Sequence, residues 1–174
     1  WAGPSLIAML VFEKYGQHQP LNRQAERFAR EGGDLSLSTL ADLVGHATFA
    51  LQPIHAPIEA HVRAGHRLHG DDTTVPLLAR GGAKKARLWT YVRDDRPWNG
   101  GAPPAAFFRF SRDRGATNPN QHVAEWQGVL QADAYGGYNY LYRADRDAGA
   151  VTSALGWAHA RRKVFELADI AGNG

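Results

Sequence analysis

Apolar residues follow two different periods along the chain. Up to residue 64 they recur at helical spacing. Beyond it they gather in short runs rich in β-branched and aromatic residues. Pro4 precedes Leu6, Ile7, Leu10 and Val11, which form one helical face, and Gly16 and Pro20 close that helix. Leu21, Ala25 and Phe28 make a second stripe that stops at Gly32-Gly33. Thr39-Leu40-Ala41-Asp42 resembles a capping box. Behind it run Leu40, Leu43, Val44 and Ala47, then Leu51, Ile54, Ile58 and Val62. Pro53 and Pro57 are expected to kink or break this third helix. Three helices with a tight turn fit either a helix-turn-helix or a packed cap. The candidate recognition helix, residues 39–50, holds no Arg or Lys to reach a base edge, which favours the cap.

From His66 the pattern becomes that of strands. Residues 66–71 are short and extended, Leu88-Trp89-Thr90-Tyr91-Val92 reads as a strand, and residues 105–110 read as another. Gly81-Gly82, Asn99-Gly100-Gly101 and Pro103-Pro104 connect them. Asn118-Pro119 opens a helix running to about Trp126, with Asn118 as its N-cap. Then come a strand at Val129–Ala132, a short helix at 138–142, a strand at 150–155 and a last helix at 158–168. This order predicts an α/β fold with a mixed sheet. The fourth strand, reached through a helix, is expected parallel to and beside the first. Residues 1–64 are then a helical lead-in and residues 65–174 the sheet domain.

Composition narrows the classes. Hydrophobic residues make up 44% and there are five Trp, which argues against disorder. With no Cys, disulfides and thiolate metal sites are excluded. The longest apolar run, residues 6–12, is far short of the ~20 residues of a membrane span. The net charge of +3 is unevenly spread. Residues 1–64 hold five Lys/Arg against six Asp/Glu, and residues 65–174 hold fifteen against eleven, so the sheet domain is the basic part. The chain opens on Trp1 and stops at Asn173-Gly174. Both ends read as cuts in a longer protein, which leaves a leader or upstream domain open.

The chemistry concentrates at Val129-Leu130-Gln131-Ala132-Asp133, an apolar strand that ends in an acid. Asp71 ends the first extended segment in a similar way, and the expected strand order makes the two neighbours. Two carboxylates ~4 Å apart repel by roughly 4 kcal/mol at an effective dielectric near 20, so a proton or a cation must relieve them. An all-oxygen pair favours Mg²⁺ or Mn²⁺, and such ions suit phosphoryl transfer. Asp72 could replace Asp71, since only one of two successive strand residues points into a site. His66 and His69 have ligand-like spacing but no further clustered ligand. Arg161-Arg162-Lys163 is either a solvated helix face or a set of phosphate contacts.

Four ordered motifs carry a family resemblance. They are Leu68-His69-Gly70-Asp71-Asp72-Thr73-Thr74-Val75-Pro76, Arg87-Leu88-Trp89-Thr90-Tyr91-Val92-Arg93-Asp94-Asp95-Arg96-Pro97, Leu130-Gln131-Ala132-Asp133-Ala134-Tyr135 and Trp157-Ala158-His159-Ala160-Arg161-Arg162-Lys163. In this order they closely resemble transposases of the insertion sequence 66 family, and the likeness covers nearly the whole chain. The resemblance implies a ribonuclease-H-like core with an Asp-Asp-Glu metal triad that cuts transposon ends and joins them to target DNA. It implies Asp71 and Asp133 as the first two acids, Mg²⁺ or Mn²⁺ as cofactor, and a homo-oligomer in the full-length form, in the bacterial cytoplasm at the nucleoid. Glu166 lies thirty-three residues after Asp133, a spacing familiar in related chemistry. The family, however, places its glutamate in a motif beyond the His159-bearing stretch, so the third acid is expected outside this chain. The rival readings are a nuclease or resolvase on the same fold, and a catalytically dead DNA-binding remnant.

Overall fold

The computed structural model describes residues 2–157 together with residues 161, 162, 164–166 and 168. The chain divides into two compact units, Trp1–Ala56 and Pro57–Gly174. In the first unit, α1 (Pro4–Val11) runs into a π-helical turn at Phe12–Gly16 and is followed by α2 (Leu21–Arg30). Leu10, Phe28 and Leu40 form the centre of a small core. Gln24 is buried among them and donates to the Gln19 carbonyl at 3.1 Å.

The third helix differs from expectation at its start and its middle. α3 spans Leu37–Arg63 without interruption. Ser36, not Thr39, caps it: the Ser36 hydroxyl accepts the Thr39 N–H at 3.1 Å, so the capping oxygen sits three residues earlier than the sequence suggested. Pro53 and Pro57 lie inside the helix. A proline removes one i→i−4 bond, and the turns on either side carry the helix across. The division between the two units falls at Ala56–Pro57, at the second of these prolines.

The second unit is a five-stranded mixed sheet with strand order β3-β2-β1-β4-β5. β1 (Arg67–Ala79), β2 (Gly82–Arg93) and β3 (Ala105–Ser111) form an antiparallel meander, and β4 (Val129–Ala132) and β5 (Thr152–Leu155) add parallel to β1. The expected parallel neighbourhood of the first and fourth strands is present. α4 (Thr117–His122) leads into β4 and a 3-10 segment (Gly136–Tyr142) leads towards β5. This α/β arrangement, with helices ahead of and beside the sheet, is consistent with a ribonuclease-H-like fold. Two details depart from the sequence reading. β1 and β2 are about twice the expected length. α4 also ends at His122, and Asn118 does not cap it: its amide instead donates to Asp113 Oδ1 at 2.9 Å and braces the preceding loop.

One face of the sheet carries the core. Leu68, Trp89, Tyr91, Phe107 and Leu130 pack there with Val123, Trp126 and Tyr138. The two indoles find partners within it, Trp89 donating to Ser111 Oγ at 2.7 Å and Trp126 to the Gly65 carbonyl at 2.9 Å. Arg146, 5% exposed, donates to the carbonyls of Val123, Trp126 and Gly149 and so closes the loop ahead of β5.

Candidate active site

The site is built where β4 ends. Leu130 and Ala132 are buried against the core and hold the strand in place. Asp133 then turns the chain, its Oδ1 accepting the Tyr135 N–H at 3.1 Å. The parallel ladder decides what stands beside it. Arg67 pairs with Val129, Leu68 with Leu130 and His69 with Gln131, each 62 residues further on. Carried past the last pair, that offset sets Asp71 level with Asp133.

Side-chain alternation then separates Asp71 from Asp72. Leu68 and Gly70 are buried, and Asp72 follows them on the core face with its side chain 2% exposed. Arg114 donates to Asp72 Oδ1 from Nε at 3.0 Å and from Nη2 at 2.8 Å, and Arg87 Nη1 stands 3.1 Å from Oδ2. Arg114 Nη2 also reaches Asp133 Oδ2 at 3.2 Å. One guanidinium therefore bridges an acid of β1 and the acid that ends β4. Its Cζ lies 4.0 Å from the centre of the Tyr135 ring, and the Tyr135 hydroxyl donates to the Arg114 carbonyl. The hydrogen bonds to Asp72, and then the fields of Asp72 and Asp133, raise the Arg114 pKa above its usual value despite partial burial. Asp71 is exposed, and its Oδ1 accepts the Asp72 N–H at 2.9 Å.

Tyr138 reports on the same acids from beneath. Its hydroxyl is buried and has no hydrogen-bond partner among the described residues. Burial raises its pKa most, followed by the influence of Tyr91, Asp72, Asp133 and Asp71, so all three carboxylates act on this one group. Gly70 makes the approach possible. A Cβ there would stand 3.2 Å from Leu130 Cδ1 and 3.5 Å from the Tyr138 hydroxyl.

The donors suit a hard divalent cation. Mg²⁺ is commonly held by one or two carboxylates, with water and phosphate oxygens completing its shell. Asp71 and Asp133 could supply the carboxylates, with Arg114 competing for one oxygen of Asp133. Among the described residues no group of three or more His, Asp or Glu side chains is placed to hold a metal.

The remaining sequence candidates lie elsewhere. His69 faces Trp98 with ring centres 6.3 Å apart, and the His66 carbonyl accepts the Val129 N–H at 2.9 Å as part of the β1–β4 junction. Arg161, Arg162 and Glu166 are helical and exposed; Lys163 and His159 lie outside the described residues. Sequence reasoning missed Arg114 and Arg87. Arg114 sits in the charged loop Arg112-Asp113-Arg114, where no periodicity distinguishes one cation from another.

The mixed sheet carries one acid on β1 and another just past the end of β4, and comparison with known proteins gives the family. Residues 1–172 match the transposase IS66 family, and the chain belongs to that family. Three relatives come from Sinorhizobium fredii (strain NBRC 101917 / NGR234). The uncharacterized protein y4hP is 54% identical over 171 residues, which is 98% of this chain and 31% of the relative. The uncharacterized protein y4qI is 40% identical over 167 residues (93% and 31%), and the uncharacterized protein y4jD is 35% identical over 176 residues (99% and 34%). The chain thus spans about a third of the length of these relatives. No solved structure matches it. The family membership supports a transposase-related function. Among the described residues no helix is long and apolar enough to cross a membrane.

Proposed function

We propose that this chain is the front part of the catalytic core of a DNA transposase, with Asp71 and Asp133 holding Mg²⁺ or Mn²⁺ for phosphoryl transfer at DNA ends. The observation that supports the reading is the parallel β1–β4 ladder, whose offset of 62 residues is also that between Asp71 and Asp133, in a chain of the IS66 family. A bound divalent ion supplies charge neutralisation at the phosphoryl oxygens and a lower pKa for an attacking water. The chain's own residues supply the rest. Asp71 offers an exposed carboxylate. Asp133 takes up its role by parting from Arg114, which keeps its hydrogen bonds to Asp72 and so stays beside the acids as a cation facing an incoming phosphate. Water is the nucleophile for strand cleavage, and the freed DNA 3′-hydroxyl is the nucleophile for joining.

The functional division follows the sequence reading, with a helical lead-in at residues 1–64 and an incomplete catalytic part at residues 65–174. Arg161, Arg162 and Lys163 are assigned to backbone phosphates. The third acid is assigned to a motif beyond the His159-bearing stretch, where the family resemblance puts it, and the relatives, about three times as long, have room for it. The full-length protein is read as a homo-oligomer acting on transposon ends and target DNA at the bacterial nucleoid.

The test uses the full-length parent in a strand-transfer assay. Asp133→Ala is expected to abolish both cleavage and joining, and to weaken Mn²⁺ binding in a titration. Unimpaired transposition by that variant would refute the metal reading. Cleavage by the unmodified parent with no joined product would assign it to the nucleases instead.

A further inference from the structure

β1 and β2 continue together after their neighbours have stopped. The ladder with β4 ends at His69–Gln131 and the ladder with β3 ends at Arg87–Ser111, but β1 and β2 stay paired as far as Ala79–Gly82. Residues 75–86 are therefore a two-stranded ribbon with no third strand on either edge among the described residues. Gly81 and Gly82, with φ of +87° and +125°, close its tip. Pro76 is tolerated because its position faces no further strand. A bare ribbon of this kind buries little of its own and offers open edges, so a partner is the natural source of its order.

Its charges define that partner. Residues 73–93 contain no Asp or Glu. Arg80 occupies the turn, and Lys84 and Lys85 follow on the return strand opposite Leu77 and Pro76. All three cations are exposed, and none is in a hydrogen bond or an ion pair among the described residues. Being successive, Lys84 and Lys85 point to opposite faces, so positive charge covers the tip and both faces. The B-DNA major groove, ~12 Å wide and walled by phosphates on both sides, admits a two-stranded ribbon. Two strands ~4.8 Å apart, extending about 20 Å from root to tip, match that groove. The root is the acid cluster: Arg87, at the base of the ribbon, pairs with Asp72.

We propose that the residue 75–86 ribbon is a DNA-docking element that lies in the groove of a duplex. Arg80, Lys84 and Lys85 contact phosphates on its flanks, and the duplex is thereby led towards the acids at its base. The choice of DNA as partner rests on the transposase reading; the docking itself requires neither metal nor catalysis. It is measured by fluorescence anisotropy of the 174-residue chain on a labelled duplex in EDTA across a salt series. Replacing Arg80, Lys84 and Lys85 together by Ala is expected to lower the slope of log K against log salt by about 2.7, about 0.9 for each contact, with an unchanged circular dichroism spectrum. The paired substitution Lys84→Gln with Lys85→Gln, which keeps a polar side chain at both positions, should lower it by about 1.8. An unchanged slope in both ribbon variants overturns the proposal, as does a parent chain that binds no duplex, or a ribbon that pairs with a second copy while DNA affinity ignores its charges. Loss of Mn²⁺ binding or of strand transfer in Asp133 variants bears on the metal reading alone.

Discussion

The two faces of β1 treat neighbouring carboxylates in opposite ways. On the core face Asp72 is 2% exposed and held by Arg87 and Arg114. On the other face Asp71 stands in solvent, in line with Arg67 and His69 and level with the end of β4. The difference separates two uses of one residue type. A carboxylate clamped by two guanidiniums ties the β1–β2 root to the loop before α4, and its lone pairs are spent. A carboxylate that gives one oxygen to a backbone N–H keeps the other for a ligand. The comparison also explains Arg114. It binds Asp72 through two nitrogens but Asp133 through one, at a longer distance, so Asp133 is the partner it can release.

The largest expected effect breaks the clamped side. Asp72→Asn leaves two guanidiniums without their shared countercharge next to a buried side chain. Removing one partner of a buried pair costs about 3–5 kcal/mol, but Arg114 is 37% and Arg87 25% exposed and water recovers part of that, so a loss of about 2–4 kcal/mol is expected. Urea unfolding of the variant measures it. A midpoint no lower than that of Asp71→Asn would remove the distinction between the faces.

Next in size is Gly70→Val. Gly70 lies on the core face between Leu68 and Asp72, and even a Cβ would meet Leu130 Cδ1 at 3.2 Å. Leu130 is fully buried and has little room to yield. Overpacking of this kind costs about 1–3 kcal/mol. The shift should also displace Tyr138, and a changed tyrosine near-ultraviolet signal would show it.

A smaller effect comes from pH, again from the core face. His122 is wedged edge-on against Trp89 and Tyr91, with the Tyr91 hydroxyl 3.1 Å from its Nδ1. Burial first, then the charges of Arg109 and Arg63, lower its pKa from 6.5 to about 4. The unfolded chain therefore takes up the proton before the folded one. Stability is at its full value above pH ~6.5 and falls as the pH drops towards 4. Since the ring is only half withdrawn from water, the loss is about 1–2 kcal/mol. His122→Gln should flatten the stability profile over that window. A profile with the same slope would place the titration elsewhere.

The parity behind these predictions was legible in the sequence. Period two puts Asp71 and Asp72 on opposite faces, but which of them turns inward was left open by the sequence and is given by the burial of Leu68 and Gly70. The parallel pairing of the first and fourth strands also followed from element order, because a strand reached through a helix returns beside its predecessor. The long ribbon did not follow. Pro76, Ala79, Ala83, Lys84 and Lys85 are poor strand formers, and the segment is extended because Gly81-Gly82 lets each strand template the other. α3 escaped for the complementary reason. Two prolines signal a break, but the helical turns on either side continue through them, although residues 48–58 are exposed. Arg114 carried no signal, since its role depends on two acids that lie 42 residues before it and 19 after it.

The smallest expected change in stability belongs to Asp71, and it is the most telling. Asp71→Asn keeps the side-chain oxygen that accepts the Asp72 N–H, and at an exposed strand position it should move the unfolding midpoint by no more than about 0.5 kcal/mol. Its effect on ligands should be large. If Asp71 and Asp133 together hold the ion, the substitution removes one of two anionic ligands, and Mn²⁺ affinity measured by calorimetry should fall at least tenfold while Asp72 keeps both its arginines. The contrast with Asp72→Asn is what counts. That variant should lose stability yet, at a temperature where it remains folded, retain its Mn²⁺ affinity more fully than Asp71→Asn does. If the order of the two affinities is reversed, the ligand is the inward acid, Arg114 is the group displaced from it, and the assignment moves one residue along β1 to the opposite face.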